Sequence, residues 1–339
     1  MINLIIHPGF SKTGTSYLKE KIFRKIDCNL LSKVLCDSFG TPQQDTVFYK
    51  LFKTNYFPSR NPFQKEKHFP HYYLREKYKN YLIDSFSKKG KMFILSDEGM
   101  LGDIHLSGLA NLYLFKEIID EILAEKQIQI KIKFIISIRN QFDLIRSYHN
   151  FSNIPFDNES LESLMEKVCD NNDKSFYYFF ELTSLVKSVK KIFNCEILLL
   201  PIEKLTDDPE GYKRDLENFL NIKIEILSKD LHSKINTNFI NKDGNKKYLV
   251  QRWSSNYLFF ALGRLHHNLK KYNFYLKNFR KNKLLNFIYD IFKPRAKIEI
   301  QKPLRNELEL KKKIFKIYSD SNHELAKITG TDLKKYNYY

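Results

Sequence analysis

The sequence predicts an α/β fold in which a central, mostly parallel sheet is flanked by helices, with a helical carboxyl-terminal part. Short apolar segments rich in β-branched residues recur along the chain, and turn sequences and segments with helical spacing follow them. Strands that alternate with helices in this way are typical of parallel sheets with helices on both faces. The 339 residues, 42% of them hydrophobic, can bury one large core, so we expect a single domain over residues 1–339.

The first strand and the first helix enclose a glycine turn. Residues 2–6 form an apolar run that stops at Pro8-Gly9, and helical spacing follows over residues 15–25. The other predicted strands and helices are listed here in chain order: strands at 92–96, 130–138 and 196–200, and helices at 109–125, 140–150, 208–220 and 307–325. The last helix is expected to pack back on the core. Ligands bind at the carboxyl ends of the strands in such sheets, so the residues that follow the strands are the first candidates for a site.

The charge of the chain favours anionic partners. With 57 Lys and Arg against 39 Asp and Glu, the formal net charge of +18 favours nucleotides, acidic glycans, nucleic acid or a membrane surface. The alternative interpretation is that much of this charge comes from solvated surface lysines that bind no partner. The four cysteines form no CxxC pair, which argues against a zinc site or a disulfide framework and suits a reducing compartment. We expect a cytoplasmic protein, because the amino terminus lacks signal-peptide features and no apolar segment could span a bilayer.

The turn after the first strand resembles a phosphate-binding loop. Residues 8–16, PGFSKTGTS, resemble the GxxxxGK[ST] sequence, except that Lys12 precedes the second glycine. In such a turn backbone N–H groups converge on phosphate oxygens, and the start of the next helix adds the positive end of its dipole. Lys12 would add a movable charge, while Thr15 and Ser16 would add hydroxyl donors or helix caps. The alternative is a strand-to-helix turn that binds nothing.

A second anion site is predicted at the end of the strand 130–138. Arg139 follows that strand, and Ser147 lies eight residues later, about two turns into the next helix, so both are expected to face one phosphate. The guanidinium group offers a forked pair of N–H donors that fits phosphate, and serine adds a neutral donor. Alone, either residue would be an ordinary surface arginine or helix serine.

These two segments resemble the PAPS-dependent sulfotransferases, in particular bacterial and carbohydrate-modifying ones. Residues 7–18, HPGFSKTGTSYL, resemble the family's 5′-phosphosulfate loop, and Arg139, Ser147 and Tyr148 resemble its 3′-phosphate motif. The resemblance implies a P-loop nucleotide-hydrolase-like fold and the sulfuryl donor 3′-phosphoadenosine-5′-phosphosulfate (PAPS), which leaves as 3′,5′-ADP with no metal required. It also implies that Lys12 assists the leaving group. The implied phosphate cradle is Ser11, Lys12, Thr13, Gly14, Thr15, Ser16 and Tyr17.

The general base is expected between the two motifs. An acceptor hydroxyl must lose its proton as it attacks sulfur, which requires a histidine or a carboxylate within reach. The family places its base, a Glu or a His, after a comparable strand, and here Asp97-Glu98 follows the strand 92–96. Glu98 is the first candidate and Asp97 the second, since one of the pair could instead cap a helix or hold Lys12. Three histidines are weaker candidates, because each also fits an ordinary structural place, at a strand end, in a loop or on a helix surface: His7, His105 and His149.

The carboxyl end is a third point of similarity. Residues 321–338 follow the pattern SNxxLAxxTGxDLxxYGY, with which many bacterial and carbohydrate sulfotransferases end, except that Asn337 replaces a glycine. This likeness concerns packing. Together with a carboxylate base, it favours a saccharide hydroxyl as acceptor, on a surface polysaccharide or a glycolipid. Residues 40–90, which begin as an irregular aromatic segment, and 245–295, predicted to be a basic helical extension, match nothing in the family, so we expect them to select the acceptor.

Two other functions fit parts of the sequence. A P-loop nucleotide kinase would use the same loop with ATP and Mg²⁺, but the lysine is out of order and Asp97 is the only evident acidic strand end for magnesium. A nucleic-acid-binding protein would fit the charge, but no recognition motif accompanies it, so no nucleic-acid partner is expected. The basic segment 265–295 either contacts anionic lipid at the inner face of a membrane or is a solvated helix face.

Overall fold

The computed structural model describes residues 1–8, 12–31, 75–88, 90–96, 100, 109–151, 160–170, 177–178, 180–225, 239–242, 245–252, 297–300 and 304–339. Five strands form the central sheet: β1 (Ile2–His7), β2 (Asn29–Leu30), β3 (Met92–Ser96), β4 (Ile130–Ile138) and β5 (Glu196–Pro201). Their order in the sheet is β2-β3-β1-β4-β5, and every pairing between neighbours is parallel. The predicted α/β class with a parallel central sheet is therefore confirmed.

Helices connect and cover these strands. The first, α1 (Thr15–Tyr17), continues as a π-helical stretch, Leu18–Phe23. The other helices of the described chain are α2 (Arg75–Phe86), α3 (Leu109–Lys126), α4 (Gln141–Phe151), α5 (Leu161–Val168), α6 (Thr183–Phe193), α7 (Ile202–Asp207), α8 (Pro209–Leu220) and α9 (Glu307–Thr329), followed by a 3₁₀ turn at Lys334–Tyr336. Among these described helices, none combines the length and the apolar character that crossing a membrane requires.

The strands are apolar on both faces, and successive residues enter two different parts of the core. On one face Leu4, Phe93 and Phe134 pack with helices that include α2, α3, α6 and α9. On the other face Ile5 and Ile94 pack with the π-helical stretch and α8. This arrangement explains the near-continuous apolar runs in the sequence, since a parallel sheet covered on both sides needs apolar residues at consecutive positions.

The strand order creates a crevice at the carboxyl end of β1. After β1 the chain goes to one side of the sheet, where β2 and β3 lie, and after β3 it crosses to the other side, where β4 and β5 lie. Such a reversal leaves a gap between the connections that follow adjacent strands. The carboxyl ends of β1, β3 and β4 therefore lie at one edge of the sheet.

Helix α2 lies within the segment 40–90 that the sequence assigns to acceptor selection. Its Tyr78 and Leu82 are fully buried in the main core, so this helix is part of the layer that covers the sheet. Residues 32–74 lie outside the described part of the chain, and the role of the segment in acceptor selection stays a prediction.

The helical prediction that begins at residue 245 is wrong at its start. Asn245–Arg252 is a strand, β7, paired antiparallel with β6 (Phe239–Lys242) and with β8 (Lys297–Ile300). The sequence carried a signal for this arrangement, because Asp243-Gly244 between the two strands has the composition of a two-residue hairpin loop. Residues 253–296 of the predicted helical extension lie outside the described residues.

Candidate functional site

The loop after β1 has the backbone conformation of a tight turn. Lys12 has a φ of 71° and Gly14 a φ of 87°, both in the left-handed region. The N–H groups of Tyr17 and Leu18 donate to the carbonyl of Gly14, so helical hydrogen bonding begins there. The first N–H groups of a helix have no acceptor inside the helix, which makes this turn suitable for an anion.

Gly14 also lets α7 approach the loop closely. A Cβ atom at Gly14 would lie 2.3 Å from Cδ1 of Ile202, the first residue after β5. Only a glycine fits there without movement of the isoleucine. The glycine that the phosphate-loop resemblance requires thus has two structural reasons of its own, its positive φ and this contact.

The side chains of the loop divide into buried and accessible ones. Thr13, Thr15 and Tyr17 are buried, and Tyr17 belongs to the core on that face of the sheet. Lys12 and Ser16 are half-buried, so they are the loop side chains, among those described, with the most access to a ligand. The ring of Tyr17 packs in the core and its backbone N–H donates to the carbonyl of Gly14, so its place in the phosphate cradle stays a prediction. Ser11 lies outside the described residues.

Arg139 reaches the loop from the neighbouring strand. It directly follows β4, which pairs with β1, and its Nη1 donates a long hydrogen bond of 3.5 Å to the carbonyl oxygen of Lys12. The Nε of Arg139 is buried, and no hydrogen-bond acceptor for it is seen in the described part of the chain. The structure therefore brings together the two candidate anion-binding residues that lie 127 positions apart in the sequence.

Ser147 lies further along α4. It is half-buried and, four residues after Asp143, lies on the same face of the helix as that carboxylate. The rise of a helix puts it roughly 10 Å along the axis from Asn140. No hydrogen bond joins it to Arg139 or Lys12 among the described residues, so its role at a 3′-phosphate stays a prediction. The adjacent Tyr148 packs edge-on against Phe180, with ring centroids 6.2 Å apart.

A half-buried carboxylate, Glu203, is hydrogen-bonded to Asn140, the residue that follows Arg139. Glu203, in the first turn of α7, accepts hydrogen bonds at Oε1 from the backbone N–H and the side-chain Nδ2 of Asn140, both at 2.9 Å. Its Oε2 accepts a hydrogen bond of 3.1 Å from the hydroxyl of Tyr338. Desolvation raises the pKa of Glu203, and the hydrogen bond from the Asn140 N–H and the positive charge of Arg139 oppose that rise.

The carboxyl-terminal segment is fixed to the same strand end. Asn322 on α9 is fully buried and exchanges two hydrogen bonds with Gln141, at 2.9 and 3.0 Å. Its Nδ2 also donates to the carbonyl of Tyr338 at 2.8 Å. The tail motif found in the sequence thus packs on the residues that follow Arg139.

His7 joins three strands directly below the loop. It is the last residue of β1 and is fully buried, with Nδ1 2.8 Å from Oγ of Ser96 on β3 and Nε2 3.2 Å from Oγ of Ser137 on β4. Burial lowers its pKa to about 3, with a smaller contribution from the positive charge of Lys19. His7 is therefore neutral at physiological pH. Its tautomer decides which serine hydroxyl donates to the ring and which accepts from it.

Most of the candidate bases lie outside the described part of the chain. Asp97, Glu98 and His105 lie outside the described residues. The preceding residue, Ser96, pairs in register with His7, so the chain leaves β3 beside the end of β1. The expectation that His149 lies on a helix surface is wrong: this residue is only 5% exposed, on the side of α4 that faces the core. In the described part of the chain, no group of His, Cys, Asp and Glu residues is arranged to hold a metal ion.

Sequence reasoning missed Glu203, Asn140 and the role of Tyr338. Glu203 had a usable signal, since it is a carboxylate just after a strand of a parallel sheet. Asn140 had a similar one, because asparagine is a common helix cap, and its Oδ1 accepts from the N–H of Asp143 at 3.0 Å. Nothing local in the sequence indicates that Tyr338 reaches Glu203, 135 residues earlier.

Comparison with known proteins gives structural likeness only. The chain is similar to a sulfotransferase from Alicyclobacillus acidocaldarius, at 14% identity and a TM-score of 0.47, covering 99% of this chain and 98% of that one. It is also similar to the sulfotransferase domain of the Synechococcus PCC 7002 olefin synthase, at 11% identity and a TM-score of 0.29, covering 69% of this chain and 78% of that one. No protein-family model matches, and no curated protein is significantly similar in sequence. Because both TM-scores are low, these likenesses carry no argument for function, and the α/β class rests on the strand order itself.

Proposed function

We propose that this protein is a PAPS-dependent sulfotransferase that moves a sulfuryl group to a hydroxyl acceptor. One observation carries the proposal: Arg139 Nη1 lies 3.5 Å from the carbonyl of Lys12, so the phosphate-type loop and the strand-end arginine border one crevice. A nucleotide with phosphates at both its 3′ and 5′ positions needs two anion-binding groups that lie this close. The half-buried Lys12 and Ser16 on one side and, on the other, the Arg139 guanidinium, whose buried Nε has no acceptor among the described residues, support such a ligand.

The reaction proposed is an in-line displacement at sulfur. The acceptor oxygen forms a new bond to sulfur while the bond from sulfur to the oxygen of the 5′-phosphate breaks, and the electron pair of that bond stays on the leaving 3′,5′-ADP. Lys12 stabilises the charge that develops on this oxygen, and the loop N–H groups hold the 5′-phosphate. Glu98 receives the proton of the acceptor hydroxyl, with Asp97 as its rival.

The acceptor is proposed to be a saccharide hydroxyl, on a polysaccharide or a glycolipid. The proposal rests on the tail motif and the candidate carboxylate base, and the net charge of +18 is compatible with an acidic glycan. Residues 40–90 and 245–295 are the segments proposed to select it. We further propose that the protein acts in the cytoplasm, where a lipid-linked acceptor would bring it to the inner face of the membrane.

Calorimetry in magnesium-free buffer tests the donor. We expect 3′,5′-ADP to bind at least about tenfold more tightly than 5′-AMP, because a charge-assisted contact between Arg139 and phosphate adds to the 5′ site. Equal binding of the two nucleotides would remove the proposal. ATP binding that requires Mg²⁺ and exceeds that of 3′,5′-ADP would favour a kinase instead.

Transfer is tested with radiolabelled PAPS and fractions of cell-envelope glycan. Label should move to a saccharide fraction without added magnesium, and 3′,5′-ADP should appear in equal amount. Label found only in inorganic sulfate would mean that PAPS is hydrolysed and that the acceptor class is wrong.

A further inference from the structure

The hydrogen bonds of Glu203 connect Tyr338, near the carboxyl end, with Asn140, the residue that follows Arg139. The hydroxyl of Tyr338 donates to one carboxylate oxygen, and the other oxygen receives both N–H donors of Asn140, the residue bonded to Arg139. Asn322 fixes the backbone of Tyr338 from the other side. The contacts of Glu203 with Asn140 and with Tyr338 join elements that lie 63 and 135 positions apart in the sequence.

Taking the Glu203 carboxylate partly out of water costs desolvation free energy, which suggests that the charged group has a specific role at this position. Desolvation disfavours its charged form, yet the group receives three hydrogen bonds and lies within the electrostatic influence of Arg139. An apolar residue at the start of α7 would avoid the desolvation cost. It would also leave the backbone N–H of the buried Asn140 without its acceptor, and its side-chain amide with Asp143 as the remaining partner among the described residues, so the backbone next to Arg139 would lose its contact with α7.

We propose that Glu203 is a positioning residue for the 3′-phosphate site: it holds Asn140, and thereby the backbone and guanidinium of Arg139, and Tyr338 holds Glu203. The carboxyl-terminal tail is then part of the phosphate-binding apparatus although it does not touch the ligand. This inference rests on the proposed function, since it assigns Arg139 to the 3′-phosphate. It goes beyond it in naming residues that set how well the arginine discriminates.

A set of variants can separate the effect of the hydrogen bonds of Glu203 from the effect of its charge. In Glu203→Gln the amide oxygen still accepts from Asn140, and the amide nitrogen can donate to the oxygen of Tyr338. In Glu203→Ala the hydrogen bonds to Asn140 and to Tyr338 are both lost. Tyr338→Phe keeps the ring in the core and removes only the hydroxyl. Ser321→Ala is the matched control, because this hydroxyl of α9 contacts Thr183 and Glu181 instead of the Arg139 strand end.

The measurement is the ratio of the dissociation constants of 5′-AMP and 3′,5′-ADP, determined by calorimetry for each full-length variant. This ratio isolates the 3′-phosphate, so a general loss of stability does not move it. We expect Glu203→Ala to lower it about tenfold, Tyr338→Phe about threefold, and Glu203→Gln by less than about threefold, as the loss of two, one or no hydrogen-bonded anchors implies. Ser321→Ala should lower the melting temperature and leave the ratio unchanged.

The outcomes separate this inference from the function on which it rests. If the wild-type protein does not prefer 3′,5′-ADP, the proposed function falls and the inference falls with it. If the wild type prefers 3′,5′-ADP and Glu203→Ala keeps that preference, only the inference is overturned. Should Glu203→Ala fail to fold, Tyr338→Phe decides, because an unchanged ratio in that variant contradicts the role of the tail.

Discussion

Gly14→Ala tests how the loop after β1 is held. The added methyl group would meet Cδ1 of Ile202 at 2.3 Å and Cγ1 at 3.3 Å, and the residue would keep a φ of 87°. Two separate costs are therefore expected, one from the backbone conformation and one from the contact with α7. Because the loop is proposed to bind the 5′-phosphate, the same change should also weaken 5′-AMP binding.

The magnitude follows from the two costs. A non-glycine residue in the left-handed region costs about 1–2 kcal/mol. Cδ1 of isoleucine is the end of a flexible side chain and can move, so the contact costs about 1 kcal/mol, the low end of overpacking. Gly14→Ala should lower the free energy of unfolding by roughly 2–3 kcal/mol in total.

Urea unfolding followed by circular dichroism measures this change against two controls. Gly330→Ala is matched for the backbone, since Gly330 has a φ of 71° and nothing lies within 4 Å of the added atom. It should lose only the backbone part, about 1–2 kcal/mol. Ile202→Val removes Cδ1, at a cost of its own of about 0.5–1.5 kcal/mol.

The double variant completes the cycle. When Ile202→Val is combined with Gly14→Ala, the steric part should be recovered, so the loss should be about 1 kcal/mol smaller than the sum of the single losses. If Gly14→Ala costs no more than Gly330→Ala and the two changes add without coupling, the close approach of α7 to the loop is not present in solution, and the reasoning is refuted.

Three further predictions concern the residues of the site. Lys12→Ala should lower kcat for PAPS-dependent transfer about 10²–10³-fold, as expected for a group that stabilises charge in the transition state, and near-normal turnover would contradict its role. Arg139→Ala should weaken 3′,5′-ADP binding far more than 5′-AMP binding in calorimetry, and Arg139→Lys should restore little, because lysine lacks the fork of donors; equal losses for both nucleotides would place the arginine elsewhere. Because His7 has a pKa of about 3 in the folded protein and about 6.5 unfolded, the unfolded state binds more protons between these values, so stability should fall as pH drops below about 6.5. In urea unfolding between about pH 6.5 and 5, above the range where most carboxylates titrate, His7→Gln should show a shallower decline than wild type; identical slopes would mean that His7 is not buried as described.

The strands and their covering helices were predictable because each is encoded locally. β1, β3 and β4 each contain a run of successive apolar residues, and the turn residues that follow them mark their ends. The start of α8 was marked by Asp208 and Pro209, a capping residue and a proline at the first helical position. Elements that depend on distant partners were not predictable in the same way. Helix α2 has only a weak apolar face, and it is stabilised by burial of Tyr78 and Leu82 against the sheet.

The sequence predicted those site residues that directly follow strands, because ligands bind at the carboxyl ends of the strands in parallel sheets. That rule placed Lys12 and Arg139 at one edge before the order of the strands was known, and the adjacency of β1 and β4 then brought them into contact. It named His7 as a strand-end residue but could not identify its two partners, which come from other strands. The misreading of His149 has the same origin, since a periodic pattern says which residues share a helix face but not which face the core will cover.

The beginning of α7 joins the two halves of the proposed site. Ile202 packs against Gly14 in the loop, and the next residue, Glu203, holds Asn140 beside Arg139. Both residues follow β5, which is the neighbour of β4 and lies two strands from β1. A movement of α7 relative to the sheet would therefore change the contacts of both anion-binding groups at once. Ile202→Val should act on the 5′ side and Glu203→Ala on the 3′ side, because the two side chains contact different halves of the crevice while the helix that carries them is common to both.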